Sequence, residues 1–405
     1  MALAVTEKLI QDLESLNSTV FTSEVERLRA RDALFAALRR VQSPWDIVWD
    51  QNWVNPATNA SVKTLIDAGI FSKWADAGGA AKTSTELAEL VGADVLLIRR
   101  IMRQICGQHL VNETAEDTFS PTPWAKALAK DPTLASTYGK FYSHLNCPIF
   151  ASLPYFLKER GFKNPTNVRD SNWQYWKGRD HDFFNDVTSE PELAAHFHDA
   201  MQCHSKYNLT PWLEIYPTEN ILKSGKYRPN CPLVVDIGGS KGHDLEKFHH
   251  RHPNIPIGSL ILQDLPDVVE GLKLPEAITP QAYNFFEEQP VKGAAVYFLH
   301  NVLHDWPDER AMSILENVAG AMEKGFSKLL IHESLISSVR PLARVTTSDI
   351  TMMACLSARE RDESEWRVLI EKSGLQVIKI WRLPQSMESI IETEVAHNRS
   401  SQQSQ

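Results

Sequence analysis

The chain has 405 residues and a net charge of −9, with 43% hydrophobic and 23% charged residues. That length predicts two or three domains with cores of their own, and the ordinary balance of apolar and charged residues excludes a disordered or fibrous chain. The acidic charge argues against a broad nucleic-acid surface, and five cysteines without a CxxC pair (Cys106, Cys147, Cys203, Cys231 and Cys355) exclude a disulfide framework or a thiolate zinc site.

Residues 1–16 lack a basic segment followed by an apolar run, and no stretch approaches 18 uninterrupted apolar residues. Neither a signal peptide nor a membrane span is expected, and the expected compartment is the cytosol with its thiols reduced. Residues 1–55 read as a helical extension. Val25, Leu28, Leu34, Phe35, Leu38 and Val41 form one face, with Glu24, Arg27, Arg31 and Arg39 between them. Trp45, Trp49 and Trp53 recur every four residues and stack on one helical face, which predicts a subunit contact and a homodimer.

Residues 56–135 read as a winged-helix-like dimerisation domain. Val62, Leu65, Ile66 and Ile70 mark one helix, Thr83 to Glu86 open a second that Gly92 ends, and Asp94 opens a third. Residues 110–111 and 118–120 would be the wing. Arg99, Arg100 and Arg103 could make the third helix a DNA reader. The acidic overall charge favours a packing module, so no nucleic-acid partner is expected. Residues 136–230 are rich in aromatics and read as a helical, pocket-lining segment that includes His144, Phe197 and Met201. Gly225 and Pro229 mark a linker.

At Cys231 the period changes. Residues 233–237 form a short apolar run ended by Gly238 and Gly239. Strands are expected at 257–262, 280–286, 294–299, 328–332, 377–381 and 389–392, and helices at 242–251, 305–323 and 363–373. This alternation predicts a doubly wound, Rossmann-like α/β domain over residues 231–393, with a disordered tail over 394–405. No internal repeat is found.

Asp236, Gly238 and Gly239 stand at the carboxyl end of the first parallel strand, where such folds bind nucleotides. Asp264 ends the second strand and can accept both ribose hydroxyls of an adenosine. These features point to an adenosine ligand and do not separate a dinucleotide from S-adenosylmethionine.

The segment Leu303-His304-Asp305-Trp306-Pro307 separates them. With Val235 to Gly239, Gln263 to Pro266 and Glu360-Arg361 at matching spacings, it resembles the plant and fungal class I S-adenosylmethionine-dependent O-methyltransferases over roughly residues 45–393. The fungal branch acting on secondary metabolites looks closest. The resemblance implies His304 as general base with Glu333 and Glu360 beside it, and S-adenosyl-L-methionine as cofactor with no metal. A phenol near pKa 10 is a poor nucleophile until a base takes its proton, which suits that role. The alternative for His304 is a loop histidine, with Asp305 capping the following helix.

Leu265, Asn284, Phe285 and His300 fall at cofactor positions, although Asn284 stands where the family carries an acid, His300 where it carries lysine or arginine, and Ser240 where it carries glycine. Phe197, Met201, Asp305, Met352, Met353 and His144 are assigned to the substrate side, with core packing open for the methionines. The function implied is methyl transfer to a hydroxyl of an aromatic or enolic metabolite, such as a polyketide. Two alternatives stand beside it: a pericyclase or dehydratase that keeps the cofactor without transferring its methyl, and a winged-helix regulator.

Overall fold

The computed structural model describes residues 2–208, 210–228, 231–384 and 386–396. Pro229 of the expected linker and residues 397–405 of the expected tail lie outside them. The chain forms two compact units, residues 1–135 and 136–405.

In the first unit, the helices Asn55–Asp67, Ile70–Asp76, Ser84–Val91 and Val95–Cys106 surround a small antiparallel sheet. Its strands are β1 (Lys82–Thr83), β2 (Val111–Ala115) and β3 (Thr118–Pro121), in the order β1-β3-β2. The local signals explain these limits. Thr83 and Glu86 form a capping box, and Gly92 at φ +69° closes that helix. Leu65, Trp74, Leu87, Met102 and Phe119 build the core. Arg99 is tied to Asp117 at the wing turn (3.0 Å). The Glu24–Val41 helix buries no residue, and Phe35, Leu38, Val41, Trp45, Trp49 and Trp53 are exposed.

The second unit is built on β4 (Val234–Ile237), β5 (Leu260–Asp264), β6 (Ile278–Ala282), β7 (Val296–His300), β8 (Lys328–Ile336), β9 (Arg361–Asp362), β10 (Leu375–Arg382) and β11 (Glu388–Val395). Their order is β10-β11-β8-β7-β4-β5-β6, with β9 paired to β8. All pairs are parallel except those made by β11. Alternation along the strands sorts the core into two layers. Val234, Phe298 and Leu330 pack with Trp212 and Phe248 on one face, while Val235, Tyr297 and Leu329 pack with Ile314 and Trp366 on the other.

Several elements depart from their expected limits. Pro280 lies inside β6, which is tolerable because β6 is an edge strand, and the chain turns at Asn284 instead of continuing to 286. The strand expected from 257 begins at Leu260, after Gly258 at φ +72°. The helix expected from 305 begins at Asp308 behind Pro307, and Leu303–Asp305 is a separate 3₁₀ turn. Asp305 therefore caps no helix. Gly225 lies within the Glu219–Tyr227 helix rather than a linker, and β11 continues to Val395.

Candidate active site

β4 and β7 are neighbours, and their carboxyl ends carry the two halves of the site. After β4 the chain turns through Gly238 (φ +73°) and Ser240 (φ +53°). A Cβ on Gly239 would stand 2.4 Å from Asp236 Oδ2 and 2.5 Å from Leu262 Cδ1, so that position admits only glycine without a shift. Phe285 and Val302 close over Gly238. Asp264 Oδ2 accepts from the Ser240 amide (2.8 Å), and Oδ1 from the Leu265 amide (2.7 Å). Each oxygen keeps a lone pair for a ribose hydroxyl. Burial raises the Asp264 pKa, against its two backbone donors. Asp236 is buried, and its Oδ2 has no partner. Burial, joined by the nearby Asp244 charge, pushes its pKa well above the usual carboxylate range. A buried acceptor without a donor, under a turn kept bare by glycine, fits a ligand that brings an ammonium group and approaches the backbone closely.

After β7 the loop from Asn301 to Trp306 is held from three sides. Glu333 Oε1, from β8, accepts from the amides of Val302 (3.0 Å) and Leu303 (2.8 Å). The buried Arg361 donates to the carbonyls of Leu303 (3.0 Å) and Trp306 (2.7 Å) and pairs with Asp308. Glu388 Oε1 accepts from Asn301 Nδ2 (2.8 Å). This fixed loop aims His304. Its Nδ1 is 2.9 Å from Glu360 Oε1 and 3.9 Å from Glu333 Oε2, while Nε2 is 3.5 Å from Asp305 Oδ1. Ser348 Oγ also donates to Glu360 Oε1 (2.7 Å), and the Glu360 amide donates to Asp349 (3.0 Å).

Glu360 thus fixes the Nδ1–H tautomer, and a neutral His304 presents the Nε2 lone pair. Burial alone would lower the His304 pKa. Glu360, then Glu333 and Asp305, outweigh it and hold the ring well above its ordinary 6.5. Burial raises Glu333 to about 7 and Asp305 to about 6, with His304 opposing both shifts.

The remaining sequence-derived residues are placed unevenly. Phe285 meets Phe286 and Trp306 edge-on. Asn284 uses its carbonyl oxygen on the Phe286 amide (3.1 Å), in a local turn. Leu265 is exposed. His300 is flanked by Asp244 and Glu388 through its two ring nitrogens. Phe197, Met352 and Met353 border one apolar cluster with Leu145 and Trp173, whereas Met201 is exposed. His144 is exposed, and its described partner is Ser143 Oγ (2.8 Å). Ser348, Asp349, Asp244 and Glu388 were not foreseen. A polar residue beginning an apolar strand, as Glu388 does before Ile390 and Ile391, was the available signal.

The sheet order, with β11 antiparallel beside β8, is that of a class I methyltransferase, whose cofactor is S-adenosyl-L-methionine. The O-methyltransferase domain family matches residues 163–376, and the chain belongs to that family. It is 35% identical over 392 residues to the O-methyltransferase mfmE of Annulohypoxylon moriforme, covering 96% of each chain. Its structure is similar to LepI in complex with S-adenosylmethionine, with a TM-score of 0.85 and 28% identity over 98% of this chain and 99% of that one. A structure described as a pericyclic reaction enzyme matches with a TM-score of 0.84 at 28% identity, over the same shares of the two chains. Among the described residues no helix is long and apolar enough to cross a membrane.

Proposed function

We propose that the protein methylates a phenolic or enolic hydroxyl of an aromatic secondary metabolite of polyketide type, with His304 as general base. The single observation that carries this reading is the His304–Glu360 contact, which occupies Nδ1 and leaves Nε2 as the nitrogen that can take a proton. When bound, S-adenosyl-L-methionine supplies an electrophilic methyl group on a cationic sulfur. The chain's own residues do the rest. Asp264 and the unpartnered Asp236 hold the cofactor's ribose and ammonium groups. His304 Nε2 would take the hydroxyl proton, so that the oxygen could accept the methyl group the cofactor would supply, with S-adenosylhomocysteine as the other product. Glu360 and Glu333 stabilise the imidazolium so formed. Phe197, Met352 and Met353 supply the apolar wall on which an aromatic substrate rests.

Likeness to a pericyclic reaction enzyme supports a second reading, in which the cofactor stays intact and only shapes the pocket. Incubation with candidate phenols separates the two. Stoichiometric S-adenosylhomocysteine and methyl ether support transfer; an altered substrate carbon skeleton with no S-adenosylhomocysteine supports the second reading. The proposal includes a cytosolic homodimer joined through the apolar N-terminal helices, where Trp45, Trp49 and Trp53 are 60%, 45% and 48% exposed with ring centroids 4.9–5.9 Å apart. Sedimentation of the full chain should give twice the monomer mass, and loss of the first 55 residues should abolish the dimer. A soluble, fully active monomer lacking those residues would contradict this.

A further inference from the structure

Behind the base-bearing loop lies a second buried cluster that the proposed chemistry does not use. Glu388, the first residue of β11, is fully buried. Its Oε1 accepts from Asn301 Nδ2 (2.8 Å) and His300 Nε2 (3.2 Å), and His300 Nδ1 is 2.5 Å from Asp244 Oδ2. With a carboxylate at each nitrogen, His300 donates twice and is an imidazolium. His332 stacks on it with centroids 4.1 Å apart and planes at 27°. His332 Nε2 also lies 3.1 Å from Glu388 Oε2, so both rings meet the one carboxylate.

The cluster reaches the base-bearing loop at Asn301. Asn301 follows β7 in the left-handed region (φ +51°), three residues before His304. A non-glycine residue is disfavoured there, least so asparagine or aspartate, and persists only where its surroundings hold it. The Asn301 amide donates to the His332 carbonyl (3.2 Å), its side chain bonds Glu388, and the next two amides then fall onto Glu333. A shift of the corner would move His304 against Glu360.

We propose that Glu388, acting through Asn301 and with His300 as its counter-ion, is a positioning residue for methyl transfer: it fixes the left-handed corner that aims His304. This rests on the reading of His304 as base. The main variant is Asn301→Gly, which keeps the backbone conformation accessible and removes only the bond to Glu388; Glu388→Gln is the second.

In the purified full-length protein, Asn301→Gly should lower kcat about tenfold or more, since small misplacements of reacting groups carry large rate costs. The cofactor KM should stay within about threefold. In a His304→Gln background the same change should alter kcat less than about twofold, because it acts through that side chain. Hydrogen exchange supplies a readout independent of the base. The Val302 and Leu303 amides should exchange faster in Asn301→Gly, and less so in Glu388→Gln, whose amide oxygen can still accept from Asn301, with β7 and β8 unchanged. Unaltered exchange together with wild-type kcat, or a full multiplicative loss in the His304→Gln background, would overturn the assignment. Wild-type turnover in His304→Gln would instead overturn the base reading and this inference with it, even if exchange in the corner had risen.

Discussion

The turn after β4 and the loop after β7 leave adjacent parallel strands, yet they are held in opposite ways. The turn relies mainly on backbone conformation, with the single side-chain acceptor Asp264 at the Ser240 amide. It has Gly238 and Ser240 at positive φ, a glycine pressed against Asp236, and a carboxylate oxygen left without a donor. The loop is bolted by the side chains of Glu333, Arg361 and Glu388, each from a different strand. The difference follows from what each must do. A turn that receives a cofactor has to leave polar capacity unspent, whereas a loop that carries a base has to keep one geometry through every turnover.

The largest test is to unbolt the loop. Glu333→Leu leaves two buried amides without an acceptor, at about 1–3 kcal/mol each. Unfolding free energy from urea titration should drop by about 2–6 kcal/mol, and kcat should fall with it. A drop below about 1 kcal/mol would break the contrast.

Glu360→Gln tests the charge beside the base. Activity requires neutral His304, whose pKa the carboxylates hold above 6.5. The wild-type rate should therefore rise with pH through a limb above 6.5. Removing the charge on Glu360 should move that limb to lower pH, while the plateau falls on the order of ten- to a hundredfold as the ring loses its orienting acceptor. A limb that stays in place would remove Glu360 as the partner.

On the turn side, Asp264→Ala removes the acceptor for two ribose hydroxyls, at roughly 1 kcal/mol or more each. Calorimetric affinity for S-adenosylhomocysteine should fall by at least about tenfold, and unchanged affinity would displace the cofactor from this turn. Ser240→Gly should have the smallest effect. It relieves a left-handed serine but adds unfolded-state entropy, for a net gain of up to about 1 kcal/mol in urea unfolding. A loss of that size would mean that the serine side chain, and not the backbone, shapes the turn.

Much of this contrast was legible in the sequence, and unevenly so. Asp236, Gly238, Gly239 and Asp264 announce themselves because a short apolar run ends in glycines and the next ends in an acid. His304 stands out by its motif. Glu388, Ser348 and Asp244 escaped because each reaches the site through tertiary packing, from β11 or from helices whose own pattern says nothing about a neighbouring loop. Asn284 and His300, which the family resemblance places at the cofactor, also bond protein groups through their side chains. The aromatic helices between 140 and 208 were seen only in outline, since partners such as Trp173 and Phe183 are buried among each other and leave no clean polar face to mark a period. Pro280 and Pro307 moved two element limits for reasons visible locally: an edge strand accepts proline, and a helix starts after one.

The most direct test of the central claim is turnover of methyl-labelled S-adenosylmethionine by wild type and His304→Gln from pH 6 to 10 with a phenolic acceptor. The expected result is label in a methyl ether, a loss of roughly 10²–10⁴-fold in His304→Gln near neutrality, and a gap that narrows toward pH 10 as the phenol ionises by itself. Equal rates near pH 7 would remove His304 from the mechanism, and product formed without label would show that the bound cofactor serves some reaction other than methyl transfer.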